Sequence, residues 1–282
     1  MRDRREEIVN KIKLEKWSCP ISEVLAELDE CVKIEFKHYS STSYLSKIGG
    51  SPDLAIGVDW PLEEVRKTKW KLFGGRSEQV TFRPYSFIAQ IDLRELSELD
   101  LNDNFPNSGL LYFFYSQDQS SPGDKARDYG KWKVFYDNID PNNTYEAKVP
   151  EELPRSSLFA QQRINLFLGF TLSKYGNRYL YADLPKDENI LLSDLVEGEY
   201  VNQMLGPPYE LEGNQKALVS WVTEDIDEFE GLKDDWLLLL QIDSIEECNM
   251  NWGDVGNLNF WINAADLENR RFDRVWCVMQ SY

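Results

Sequence analysis

The sequence predicts an α+β fold, internally duplicated, with mostly antiparallel sheets and a helical segment at the N-terminus. Three observations predict it. Short apolar runs rich in aromatic residues follow one another in series instead of alternating with long helices, which is the pattern of antiparallel sheets. The tripeptide Gln-Ile-Asp stands at 90–92 and again at 241–243. Each copy follows a Gly/Pro turn and precedes a Gly that opens an aromatic run, so three features recur in one order, and such self-similarity is weighed before any other fold assignment.

The N-terminal residues 1–30 read as one or two helices, with Ile8, Ile12 and Leu14, then Ile21, Val24, Leu25 and Leu28, near helical spacing. This segment is expected to pack as a lid or brace. "CVKIEFKHYS" alternates Val32, Ile34 and Phe36 with Lys33, Glu35 and Lys37, the period of a strand with one wet face. "SKIGGSPDL" breaks the chain, because Gly49, Gly50 and Pro52 supply turn conformations.

After Trp60-Pro61 a short helical stretch is expected, and strands follow at "VTF", "FIAQIDL", "LLYFFYS" and "KWKVFYD". The polar stretch "NTYEAKVPEELPRSS", 143–157, reads as a connector, dividing one compact unit into a first half at 31–150 and a second at 151–282. The second half offers "RINLFLGFTL" and "RYLYADL", then a helix before "NQMLGPPYELEGNQ". Gly50 precedes Gln90 by 40 residues and Gly206 precedes Gln241 by 35. The chain closes on a strand-like run from Val275 to Met279.

Formal net charge is −18, but it is unevenly spread. Residues 1–75 carry 13 Lys+Arg and 13 Asp+Glu, against 18 and 36 for the remainder. A field of that sign repels phosphate backbones, so nucleic acid is not an expected partner, whereas a basic protein surface is attracted. A solvated acidic surface that aids solubility is the commoner meaning of such a charge. The N-terminus has no apolar signal region and no run approaches the roughly 18 apolar residues of a membrane span, so neither export nor a membrane is expected. The expected compartment is the cytosol, where Cys19, Cys31, Cys248 and Cys277, with no C-x-x-C pair among them, stay reduced.

Catalytic motifs are scarce. His38 is the single histidine, which excludes a multi-His metal site and leaves any Ser-His or Cys-His pair dependent on one residue of a probable strand. No phosphate-loop, dinucleotide, esterase or zincin motif occurs. "DLNDNFPNSG" has Asp100, Asn102 and Asn104 at the alternate places of a calcium loop, but Phe105 replaces the required Gly and Leu111 the bidentate Glu. No metal and no cofactor is therefore called for. Eight tryptophans (Trp60, Trp70, Trp132, Trp221, Trp236, Trp252, Trp261 and Trp276) could offer stacking platforms, although such residues are more often core. The stretch "TEDIDEFEGLKDDW", Thr223 to Trp236, is the best sequence candidate for docking a basic partner.

In an extended strand Gln90 and Asp92 share a face with Ile88, opposite Phe87, Ala89, Ile91 and Leu93; Gln241 and Asp243 share a face with Leu237 and Leu239. Both faces of each strand also carry aliphatic residues, so the strands are expected to be covered. A covered Gln must find hydrogen-bond partners, which gives the repetition a structural reason. The functional alternative brings the carboxylates of Asp92 and Asp243 together across a pseudo-two-fold axis, with Gln90 and Gln241 beside them, as a paired acid or ligand site.

Taken in order, "SKIGGSPDL" with the following "WP", "FIAQIDL", "SGLLYFF", "LGPPYELEGNQ", "LLLQIDS", "GNLNFWI" and the terminal "FDRVW" resemble the YwqG-like family of bacterial proteins, over most of residues 45–282. The resemblance implies an internally duplicated α+β fold, usually cytosolic, with no established activity or cofactor and no site residues to transfer. It also implies a setting alongside polymorphic toxins, where an immunity-type protein fits. The leading expectation is a cytosolic protein-interaction module; the alternative is a carboxylate-based enzyme or small-ligand binder with its site between the halves.

Overall fold

The computed structural model describes residues 3–36, 45–70, 76–99, 101, 104–172, 184–196, 201–211, 213–224, 226–232 and 235–281. Its helices are α1 (Arg5–Leu14), α2 (Ile21–Ala26), α3 (Leu93–Ser97), α4 (Lys186–Val196), α5 (Gln215–Thr223) and α6 (Ala264–Glu268). Its strands are β1 (Leu28–Phe36), β2 (Lys47–Ile48), β3 (Asp53–Ala55), β4 (Leu62–Trp70), β5 (Arg76–Pro84), β6 (Ser86–Asp92) and β7 (Leu110–Tyr115) in the first part of the chain. They continue with β8 (Trp132–Asp137), β9 (Thr144–Glu146), β10 (Gln162–Leu172), β11 (Gln203–Met204), β12 (Trp236–Asp243), β13 (Asn257–Asn263) and β14 (Trp276–Gln280).

Ten strands form one antiparallel sheet in the order β14-β13-β12-β11-β1-β10-β2-β6-β7-β8. The sheet curls until its outer strands nearly meet, because Trp132 Nε1 on β8 donates to Val275 O just ahead of β14 at 2.7 Å, and the Trp132 and Trp276 rings lie 4.8 Å apart. Phe113 of β7 meets Phe260 of β13 across the interior at 5.1 Å. The largest apolar core therefore fills a nearly closed barrel. A second cluster lies outside the first half, around Trp60, Phe87, Tyr112 and Phe114. A third joins α1, α2 and α4 to the outer side of β10 through Ile12, Val24, Leu192 and Phe170. In α1, Glu6 and Glu7 in the first turn and Lys11 and Lys13 in the last complement the helix dipole.

The pairing of β1 with β10 divides the sheet into five strands on each side. At its centre β1 pairs with β10 from Leu28↔Leu172 to Phe36↔Ile164. On its other side β1 pairs with β11, and β10 pairs with β2. Each long strand thus lies beside a short strand from a distant part of the chain. Ile34 N donates to Asn202 O at 3.0 Å and Ile164 N to Ser46 O at 3.3 Å. The irregularity between Phe87 and Ala89 on β6 has its counterpart between Leu238 and Leu240 on β12.

Four expectations are corrected. Residues 62–70 form β4 instead of a helix, held in nine-residue register by β5, because Val65 and Thr68 favour an extended chain and no apolar helical stripe is present. β1 has no wet face over Cys31–Ile34: it is a central strand, and Lys33 is buried with its Nζ on Gln203 Oε1 at 2.9 Å. Strict alternation also fails at the β6 bulge, which turns Phe87 outward to Tyr112 and Phe114 while Ile88 joins the interior. Leu14 stands outside its helix's apolar contacts, 82% exposed.

Candidate functional site

Gln90 and Gln241 do comparable work on β6 and β12. Gln90 is fully buried; its Oε1 accepts from Asp53 N at 2.8 Å, and its Nε2 donates to Leu45 O and Asp53 Oδ2, each at 2.8 Å. Gln241, equally buried, accepts from Tyr209 N at 2.8 Å and donates to Tyr209 O at 3.3 Å. Each amide holds the backbone just after a Gly/Pro turn, at Gly49–Pro52 or at Leu205–Pro208. Lys47 adds an ion pair in the first half, 2.7 Å from Asp53 Oδ2, with burial pulling its pKa down against the opposing pull of Asp53.

Asp92 and Asp243 end β6 and β12, and four strands lie between those two in the sheet. Asp92 caps α3: Oδ1 accepts from Arg94 N and Nε, and Oδ2 accepts from Arg94 Nη2 at 2.6 Å and Leu45 N at 3.1 Å. Asp243 Oδ1 accepts from Ser244 N at 2.9 Å, and burial pushes its carboxyl up to about 6. The backbone amides match, with Asp92 N on Ser46 Oγ at 3.0 Å and Asp243 N on Asn202 Oδ1 at 2.8 Å. The carboxylates themselves share no partner among these bonds, and each serves the end of its own strand.

Two features escaped the sequence reading. The first is the ribbon made by β4 and β5, which belongs to no larger sheet. Its base is anchored on Glu63, 0% exposed, whose oxygens accept from Arg83 Nε at 2.9 Å, Ser116 Oγ at 2.7 Å and Lys131 Nζ at 2.6 Å. Beyond that base, Leu62 is 54%, Phe82 64% and Val80 46% exposed. The register Leu62↔Pro84, Glu64↔Phe82, Arg66↔Val80 puts these three on one face. Residues 62–84 hold six Lys+Arg and three Asp+Glu, leaving 25 against 46 elsewhere. A basic, apolar ribbon thus projects from an acidic body, and a Gln- or Asp-centred search had no signal for it.

The second is a cavity of about 510 Å³ beside the turn at Leu205–Pro208. Leu205, Pro207, Pro208, Trp236, Leu238 and Trp261 form its apolar wall, and Glu30, Glu210, Asn214 and Lys216 its polar rim. Leu205 is held at φ 60°, a left-handed conformation that costs a β-carbon-bearing residue energy and clusters at binding sites. At the adjoining Gly206, φ 66°, a Cβ would lie 2.9 Å from both Cys31 Cβ and Glu30 O, so glycine is required for the close approach to β1.

Of the eight tryptophans named as stacking candidates, Trp132, Trp236, Trp252, Trp261 and Trp276 belong to the main core and Trp60 to the outer cluster, while Trp221 is 66% exposed; the Trp70 side chain lies outside the described residues. In the acidic stretch, Asp227–Phe229 forms a 3-10 turn with Phe229 buried beneath Arg274. His38, Asp100 and Asn102 lie outside the described residues. Among the described residues no group of His, Cys, Asp and Glu has metal-site geometry, and no helix is long and apolar enough to cross a membrane.

A search of curated proteins gives no match for the chain. Residues 46–281 match the model of a protein family, and that span takes in both Gln-Ile-Asp strands, the ribbon and all of the cavity lining but Glu30. The protein belongs to the family described as Domain of unknown function (DUF1963).

Proposed function

We propose that the chain consists of two copies of one unit that exchange their first strands, and that the whole is a protein-interaction module with no chemistry of its own. The palindromic sheet order supports the first part, together with the paired bulges and the paired bonds of Gln90 and Gln241, Ser46 and Asn202. The motif order supports YwqG-like membership within the family. The cytosol suits a chain whose four cysteines form no disulfide.

The observation that carries the binding reading is the ribbon. A two-stranded ribbon is marginal by itself in water, and this one leaves an apolar stripe of Leu62, Phe82 and Val80 in solvent. Its excess of cations selects a protein partner whose contact face carries carboxylates around an apolar patch. The acidic remainder attracts basic surface, and Tyr129 brings the two regions together: it lines the cleft at the ribbon base and touches Phe229 of the acidic turn at 5.5 Å. Immunity to a toxin is the narrower form of this reading, tested by whether the captured partner alone arrests the cells that make it.

The test compares wild type with Leu62→Ser/Phe82→Ser in pull-downs from the source cytosol at low and high salt, with light scattering on the purified chain. The reading requires a partner that the double variant loses and that salt weakens, with the variant's melting temperature unchanged. Equal capture by both proteins, or capture indifferent to salt, overturns it. A wild-type dimer that becomes monomeric in the variant overturns it in favour of a second copy.

A further inference from the structure

β4 keeps one edge unpaired, and a cleft runs along it. Tyr85 N donates to Pro61 O at 3.2 Å, so the alternate pairs that follow, Glu63↔Arg83 and Val65↔Thr81, are the hydrogen-bonded ones of the ribbon. Between them Leu62, Glu64 and Arg66 turn their N–H and C=O groups away from β5, and among the described residues no backbone group pairs with these. On the other edge Pro84, opposite Leu62, has no N–H to leave bare, and it is buried. A cleft of about 730 Å³ is lined by Leu62, Glu64, Val65 and Arg66 of β4 and by no residue of β5, with residues 130–134, at the start of β8, across from them. The cleft therefore follows the free edge of β4, and the stretch from Leu62 to Arg66 offers roughly 14 Å of it in extended form.

A free strand edge is a template for another extended chain, whose main-chain groups complete the ladder. A two-stranded ribbon is marginal in water, and a third strand gives it the pairing it lacks. Charge selects the occupant. Glu64 is held by Arg66, Asp273 by Arg271, and Lys131 by Glu63. Arg127 and Lys133 line the same cleft, both exposed and with no ion pair among the described residues. Two uncompensated cations at one wall attract carboxylates and repel a basic chain. Resting on the protein-binding reading, we propose that an extended acidic segment of the partner adds to the outer edge of β4 as a third strand of the ribbon, with its carboxylates at Arg127 and Lys133.

The probes are two capped octapeptides, acetyl-(Val-Glu)4-amide and acetyl-(Val-Lys)4-amide, titrated into the full chain at pH 7. The acidic peptide is expected to bind with a dissociation constant below about 1 mM and the basic one at least about tenfold more weakly. Amide exchange followed by NMR is expected to slow at Glu64 and Arg66 when the acidic peptide is bound. Glu64→Pro removes one outward N–H and leaves the bonds to β5 in place. Although it releases Arg66, it is expected to weaken the acidic peptide at least about fivefold, the worth of one hydrogen bond. Glu78→Pro makes the same change on the outer edge of β5, opposite Thr68, and is expected to leave binding unchanged. No binding of the acidic peptide, equal binding of the two peptides, unchanged exchange at Glu64 and Arg66, or full affinity in Glu64→Pro overturns the proposal. Should Glu64→Pro fail to fold, the wild-type exchange data decide. In the pull-down, a partner lost by Leu62→Ser/Phe82→Ser and kept by Glu64→Pro overturns strand addition and leaves the protein-binding reading standing. A partner kept by Leu62→Ser/Phe82→Ser and lost by Glu64→Pro removes the apolar stripe from that reading and supports the edge.

Discussion

Lys33, in the first half of the chain, donates from Nζ to Gln203 Oε1, in the second half, at 2.9 Å with both side chains buried. The bond lies where distant parts of the chain interleave: β1 is flanked by β10 and β11, both from beyond residue 160. A buried ammonium so placed is costly to leave unpaired, and its partner arrives only when the second half does.

The proposed exchange of strands predicts that neither half of the chain folds alone. Residues 1–150 made separately would expose both edges of β1, and residues 151–282 the matching edges of β10. Each fragment is expected to be unfolded by circular dichroism, and mixing the two is expected to restore the native spectrum. Proteolytic nicking near Glu151 and Glu152, both exposed, is expected to leave one species on a native gel. Two independently folded fragments would contradict the exchanged topology.

Much of this was legible in the sequence, and the reasons differ by element. The Gln-Ile-Asp strands were readable because an amide among aliphatic residues on both faces has to be covered and bonded, and Gln90 and Gln241 are. The covered face of β1 was not readable, since Lys33 looks like a solvent-facing residue until Gln203 arrives 170 positions later. The ribbon was half readable: "VTF" announces β5, but "LEEVRKTKW" has charges where a strand's pattern is sought. Its extended form is imposed by pairing with β5 and by the anchor of Glu63. The cavity left no local signal, because its lining is gathered from Glu30, the turn at Leu205–Pro208, β12 and β13, which are far apart in the sequence.

The anchor of the ribbon is expected to be a stability hot spot. Glu63→Ala removes the acceptor of Arg83, Ser116 and Lys131 together. Breaking a fully buried ion pair costs about 3–5 kcal/mol. Arg83 and Lys131 keep 23% and 27% of their side chains in solvent and can rehydrate, so a loss of about 2–3 kcal/mol in urea unfolding is expected. Faster amide exchange confined to β4 and β5 below the unfolding transition would locate the effect. A loss under 0.5 kcal/mol, the scale of a surface pair, would show that the anchor contributes little.

Asp243 is expected to make the protein more stable when neutralised, above a definable pH. Burial raises its carboxyl from an ordinary 3.8 to about 6, so the folded chain holds this proton more tightly than the unfolded one. This group's contribution is therefore favourable below pH 3.8 and is lost as pH rises through about 6. Asp243→Asn keeps the Oδ1 acceptor for Ser244 N but cannot ionise. The difference in melting temperature, variant minus wild type, is expected to be near zero at pH 4 or below, to grow between pH 4 and 6, and to level off above pH 7. A difference independent of pH would mean that the Asp243 carboxyl ionises normally.

Two glycines of similar backbone conformation are expected to respond very differently to alanine. Gly57 has φ 90° and open space around it, so Gly57→Ala should cost only the left-handed conformation, about 1–2 kcal/mol. Gly123 has φ 75°, and a Cβ there would lie 1.9 Å from Cys277 O, in the backbone of β14. The contact cannot be relieved by a rotamer change, because Trp276 Nε1 donates to Gly123 O at 2.9 Å and Met279 N to Pro122 O at 2.9 Å. Gly123→Ala must therefore push the loop after β7 away from β14, where the curled sheet nearly closes. It is expected to lower stability by several kcal/mol more than Gly57→Ala in urea titration, and to shift the emission of Trp276 as its indole loses that carbonyl. Equal costs for the two substitutions would mean that this loop does not hold the closing edge of the barrel.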